Sequence, residues 1–380
     1  MDTIENLFKE FEGLSNEEWK KLILKSLKLE TDAEKEDFYN NKLKFRPSEG
    51  LEFEPFYTQN DLKGLEYLKG YKNLLSQTKQ TTGWMNIENM VVENEIEANI
   101  YSKKVLNQGA DGICFDILGS ENIDFKILLN EISLNNTPIY FEIDQVKSLL
   151  EYLNKTYSET KSLMGGIFCK NILNTDIDKL IFYFKDAYFF KPLIFENNNE
   201  HDHISQISNL LLSAIKRVEE LHENGISFED ILKKIAFKIN VKNDFFIEIA
   251  KLRVLRLLWW HICKSYDDNL NMIDVFIFSS TSLSSAGEEP YKNFISNTSQ
   301  AMSAIIGGCN AISVTPTYFE NETDLNMSKR ISRNVSAILK EESYFDKVND
   351  MGSGSYLIEN ITHQMASGAW KKITEYPVLE

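Results

Sequence analysis

Two carboxylates one residue apart, Glu142 and Asp144, close an apolar run at 138–143. Strand side chains alternate with period two, so the pair shares a face. Carboxylates placed together can serve as general acid and base. No histidine or lysine is placed to tune them, which favours solvated carboxylates at the mouth of a fold over a catalytic pair. A second constellation is Glu200-His201-Asp202-His203. A His-x-His with flanking acids has the residue types of a metal site. Two ring nitrogens need a third, distant ligand, and the sequence names none. The run therefore reads as an exposed loop opening a helix at Ile204, with Asp202 or His203 near its cap. Asn89, Asp116, Lys170, Glu196, Asn240 and Thr281 also end or follow apolar runs, as Glu142 and Asp144 do. His222, His261 and His363 fall on segments of helical pattern and read as structural.

These groups need a scaffold. Apolar runs at 83–89, 112–117, 138–143, 165–170, 192–196, 235–241, 273–279 and 311–315 read as strands. Segments with helical periodicity, such as 95–107, 145–157 and 204–221, lie between them. Eight strands alternating with helices predict a (β/α)8 barrel, with a doubly wound open sheet as the alternative. In a barrel, the positions named above lie at the carboxyl ends of strands, where chemistry is carried. The runs hold many large residues: Phe115, Tyr140, Phe141, Phe168, Phe195, Phe237, Phe276 and Phe278. Phe276 and Phe278 share a face. Pointing inward, such residues fill a barrel and leave no through-channel. Alternation alone does not say which face is inner. No glycine-rich dinucleotide loop or P-loop is present.

The chain of 380 residues carries a net charge of −16, and no basic stripe offsets it, which argues against nucleic acid. No apolar run reaches the roughly 18 residues of a membrane span. The start is acidic and lacks a basic, apolar signal region. Cysteines at 114, 169, 263 and 309 are scattered in apolar settings, reading as reduced thiols of a cytoplasmic protein. Near the N-terminus, Ser15 and Glu18 form a capping box ahead of an apolar stripe, Trp19, Leu22, Ile23 and Leu27. The expected organisation is an arm at 1–45, an extended lead-in at 46–80, a barrel at 81–372 and a tail at 373–380.

The last quarter is the most specific stretch. It runs Glu288-Glu289-Pro290-Tyr291, an amphipathic segment to Ile306, Gly307-Gly308, and an apolar strand at 311–315. Ser-Lys-Arg-Ile-Ser-Arg-Asn follows at 328–334, and Asp350-Met351-Gly352-Ser353-Gly354-Ser355 closes it. Together with the segment 244–259, this order resembles the adenosylcobalamin-dependent acyl-CoA mutases, those of the methylmalonyl-CoA type above all. The resemblance covers about 10–372 and is weakest from 118 to 200. It implies a (β/α)8 barrel, acyl-CoA chemistry and cobalamin as the cofactor.

Departures from the pattern locate the chain within that family. Catalytic members carry a tyrosine-rich run and several arginines before the first strand. Here Trp84 and Ile87 match, but the tyrosine and arginines at 77–88 do not. At strand four, Ile167 stands in place of threonine and Cys169 in place of glutamine. The family's active-site histidine run after strand five is absent, and no cobalt-ligating Asp-x-His-x-x-Gly occurs up to Glu380. The expectation is a non-catalytic small subunit with no cobalamin of its own and no cobalamin-binding domain. Adenosylcobalamin would sit in a catalytic large subunit, the expected partner. Trp19, Leu22, Phe53, Phe56 and Tyr57 are the expected interface, with self-association when the chain is alone. Two alternatives remain: a catalytic mutase barrel whose cobalamin domain is separate or truncated, and a barrel repurposed for another small acid.

Overall fold

The computed structural model describes residues 14–27, 31–48, 50–71, 74, 82–119, 123–168, 174–196, 202–268, 270, 275–282 and 290–376. Its strands are β1 (Met85–Val91), β2 (Gly112–Asp116), β3 (Ile139–Glu142), β4 (Gly165–Phe168), β5 (Phe190–Glu196), β6 (Ile235–Val241), β7 (Phe276–Thr281) and β8 (Ala311–Ser313). They close into one ring in chain order. Each is parallel to its neighbours, and Met85 of β1 pairs with Ala311 of β8. A closed ring leaves no unpaired strand edge. The open-sheet alternative is thereby excluded.

The helices begin with α1 (Asn16–Ser26) and α2 (Asp32–Phe38) in the arm. Around the barrel lie α3 (Glu95–Leu106), α4 (Phe125–Leu128), α5 (Lys147–Thr156), α6 (Asn174–Tyr183), α7 (His203–Glu223), α8 (Phe228–Leu232), α9 (Phe245–Tyr266), α10 (Pro290–Ile306) and α11 (Glu322–Glu341). A last helix, α12 (Tyr356–Thr374), packs on α7 and α9. The capping box at α1 forms as its sequence requires. Ser15 Oγ accepts from the Glu18 amide at 3.3 Å, and Glu18 accepts from the Ser15 amide at 2.9 Å. Asp202 caps α7 through the amides of Ile204 and Ser205.

Barrel closure decides which face of each strand is inner. Ile87, Cys114, Tyr140, Phe168, Ile194, Ala236, Phe278 and Ala311 form one buried cluster along the axis, with Met85 and Phe276 against it. Tyr140 and Phe168 meet Phe278 edge-on, with centroids 5.1 and 5.4 Å away. Phe115, Phe141, Ile167 and Phe237 point the other way, into the larger core beneath the helices. The interior is thus filled by aromatic rings at its middle. Glycine makes room where β3, β4 and β5 meet. Gly165 holds φ +131, and a Cβ there would lie 1.8 Å from the carbonyl oxygen of Ile139. No side chain is compatible with that approach.

Outside the barrel, charged groups pin the lead-in, α9 and the last helix together. Arg253 of α9 pairs with Asp350 and, at 2.6 Å, with Glu359 of α12. Tyr67 of the lead-in donates to Glu359, and the Arg253 guanidinium lies 4.7 Å from the Tyr71 ring centroid. Burial alone would weaken this cation, but Tyr71, Asp350 and Glu359 hold it firmly charged. Lys251 pairs instead with Glu248 of its own helix at 2.7 Å, both fully buried. Arg333 of α11 reaches Glu88 of β1 at 3.1 Å, and Tyr101 donates to the same carboxylate.

The three described cysteines, Cys114, Cys263 and Cys309, are buried and unbridged. Cys169 lies outside the described residues. Among the described residues, no helix is long and apolar enough to cross a membrane.

Candidate functional site at the barrel mouth

Four strands deliver polar side chains to the carboxyl end of the barrel. Ala236, Lys238 and Asn240 alternate on the inner face of β6, so Lys238 sits one layer above the aromatic plug. Its ammonium lies 2.6 Å from Glu142 of β3 and 3.3 Å from Glu196 of β5. It stands 4.7 Å from the Phe168 ring centroid. Asn240 donates to Glu196 at 2.8 Å, and Ser280 of β7 donates to Asn240 at 2.5 Å. The cluster is well covered: Lys238 is 6% exposed and Glu142 is 9% exposed.

Burial works to lower the Lys238 pKa, but the two carboxylates outweigh it and hold the group above its ordinary value. The amine therefore stays protonated near neutral pH and is not a nucleophile. It works as a bridge between strands. Beneath it, burial first and Glu142 second push the Cys114 thiol well up, so no thiolate forms there.

The expectation that no lysine is placed beside Glu142 is corrected by this geometry. Lys238 is 96 residues away in sequence and meets Glu142 only through barrel closure. The readable signal was a lysine in the middle of an apolar strand, Ile-Ala-Phe-Lys-Ile-Asn-Val. Asp144 does not share the strand with Glu142. The strand ends at Glu142, and Asp144 accepts from the Gly119 amide at 3.0 Å. Asp116 turns to the Leu118 amide at 3.2 Å. Asn89 is exposed at the top of β1.

Thr281 closes β7 at the carboxyl end of the barrel, but its side chain leaves the axis. Its hydroxyl accepts from the Thr315 amide at 2.8 Å, and Ser280 takes the inner face instead. Ile167 is fully buried under the helices and does not line the axis. Lys170, Cys169 and His201 lie outside the described residues.

The expected interface residues divide. Phe53 is 1% exposed and belongs to the chain's own core, so it offers nothing to a partner. It was misread because prolines at 47 and 55 suggested an extended, surface segment. In fact its backbone exchanges hydrogen bonds with Phe45. Trp19 stacks on Phe56 at 5.0 Å, folding the arm back on the lead-in. Tyr57 accepts from the Glu54 amide at 3.0 Å through its hydroxyl. Leu22 remains 53% exposed. Beside Phe56 and Tyr57 opens a groove of about 410 Å³, walled also by the exposed Phe45, Phe246 and Tyr356.

His203 is buried between helices, His222 bonds the Ile226 carbonyl at 3.0 Å, and His261 and His363 line a groove between α9 and α12. No three His, Cys, Asp or Glu side chains among the described residues are placed to hold a metal.

A closed ring of eight parallel strands, alternating with helices and filled by its own side chains, defines a (β/α)8 barrel protein. Residues 202–377 match the family model of methylmalonyl-CoA mutase. The chain is 27% identical, over 97% of its length, to a methylmalonyl-CoA mutase small subunit from Porphyromonas gingivalis. It is 24% identical, over 94% of its length, to a methylmalonyl-CoA mutase from Cereibacter sphaeroides. A small subunit from Propionibacterium freudenreichii is 29% identical over 48% of the chain and 29% of that relative. The chain is thus similar to methylmalonyl-CoA mutases over nearly all of its length. It spans 63% of the length of the first relative and 57% of the second.

Proposed function

We propose that this chain is a non-catalytic small subunit of a methylmalonyl-CoA mutase. It stabilises a catalytic large subunit that holds adenosylcobalamin and interconverts methylmalonyl-CoA and succinyl-CoA in the cytoplasm. The observation that carries this reading is the barrel axis. Rings of Tyr140, Phe168 and Phe278 fill its middle, and Lys238, tied to Glu142 and Glu196, covers them. An acyl-CoA tail threaded along that axis would have to displace all of these groups. The exposed Leu22 and the aromatic groove at Phe45, Phe56, Tyr57, Phe246 and Tyr356 supply apolar surface for a partner. A repurposed barrel enzyme would need a group at the mouth able to change protonation state in its cycle. Lys238, held as ammonium by two carboxylates, suits that role poorly.

Activity and assembly test the proposal together. The purified chain, given adenosylcobalamin and methylmalonyl-CoA, is expected to form no succinyl-CoA and to take up no cobalamin. Co-expressed with its cognate large subunit, it is expected to elute as a heterodimer that isomerises the substrate. Deleting residues 1–45 should weaken that complex. Turnover by the isolated chain would overturn the reading in favour of a catalytic barrel.

A further inference from the structure

His203 opens α7 with its ring sealed from solvent, 4% exposed, in the seam where α7 meets α9. Its Nε2 lies 3.5 Å from an Asp244 oxygen at the start of α9. Its Nδ1 is buried and has no hydrogen-bond partner. From α9 the ring also feels Glu248 and Lys251, a pair with no exposure, and from the loop after β6 it feels Lys242. One Glu248 oxygen, Oε2, is likewise buried without a partner. On α7 itself the neighbouring charge is Asp202, which is bound to Lys372 of α12 at 2.8 Å. The first turn of α7 is thus a junction of three helices, where the buried imidazole, the packed Ile204 and the contacts of Lys372 with Asp202 and Ser205 meet.

We propose that His203 is an acid-sensitive latch: neutral, it seats the first turn of α7 against α9 and α12, and protonated, it releases that turn. The inference is independent of the subunit reading above. A second proton would place an imidazolium beside buried Lys251, with only Asp244 and Glu248 to offset it. Moving the first turn of α7 into water relieves that repulsion, while the rest of this 21-residue helix stays packed.

The sign follows from the shift. Burial first, then Lys251, lowers the His203 pKa from its ordinary 6.5. A depressed histidine contributes closed-state stability that is complete above about pH 6.5 and is lost as pH falls towards the folded value. Loss proceeds by up to about tenfold in the opening equilibrium per pH unit.

Amide hydrogen exchange of residues 206–208 in the full chain, corrected for the intrinsic pH dependence of exchange, reads this directly. The wild-type opening equilibrium should be flat from pH 8 to 7 and rise below 6.5, by at most about tenfold per unit. In His203→Gln it should stay flat throughout. Asp244→Asn removes an anion that favours the imidazolium, so the rise should continue to lower pH and end higher than in the wild type. Asp244→Asn also serves as the test should His203→Gln fail to fold. A flat wild-type profile, the same rise in His203→Gln, or an Asp244→Asn profile identical to the wild type would each overturn the latch.

Discussion

Arg253→Ala is expected to lower the unfolding free energy by about 3–5 kcal/mol, a large part of the whole stability of an ordinary domain. The Arg253 side chain is 1% exposed and is the cation paired with two carboxylates, the part-buried Asp350 and the buried Glu359. Removing it leaves both charges in a site where water cannot replace it. The loss also takes the cation from the face of Tyr71, a smaller contribution of roughly 0.5–2 kcal/mol already within the total. Arg253→Lys should recover only part, because an ammonium cannot reproduce the fork that addresses two acids at once. Urea unfolding followed by circular dichroism measures the difference. A loss under about 1 kcal/mol would mean that the cluster is solvated, as ordinary surface pairs are.

The second large effect is expected at Lys238. Lys238→Met keeps an unbranched apolar stem but deletes the ammonium that lies over Phe168 and between Glu142 and Glu196. Two carboxylates then face each other at the mouth without a cation, at a cost of about 3–5 kcal/mol near neutral pH. The deficit should shrink in acid, because a protonated carboxyl can be buried without charge. Adding Glu142→Gln and Glu196→Gln to Lys238→Met should restore most of the stability. Unfolding measured at pH 5 and pH 8 on both variants separates this account from simple loss of packing. A deficit equal at the two pH values, and not repaired by the glutamines, would assign the effect to packing.

Much of the barrel was legible in the sequence. Each strand is short and apolar, and the helices between them carry stripes or caps of their own, such as Ser15 with Glu18. What alternation does not reveal is which of its two faces is inner. Phe237 and Lys238 are neighbours in one strand, and only the ring's closure sends the first under the helices and the second to the axis. The same ambiguity left open that Ser280, and not its neighbour Thr281, faces the axis. Glu142 and Lys238 were each visible, but a contact between side chains 96 residues apart has no local signature. His203 was readable as a residue near a cap. Its burial was not, because that depends on α9, a helix some forty positions later in the chain.

The cluster at Arg253 also has a consequence in time. Tyr67 meets Glu359 across 292 residues, and the Glu52 amide meets Gln364 across 312. A ribosome has made the whole barrel, β1 through β8, before Glu359 emerges to partner Arg253. Until then the nascent chain holds a cation on an apolar helix without one of its two anions, and a lead-in without its seat. Such long-range pairings slow folding and lengthen the life of partly folded species. The finished barrel is locked only when its lead-in and its last helix are joined, so chains interrupted late in synthesis should be the ones most prone to aggregate.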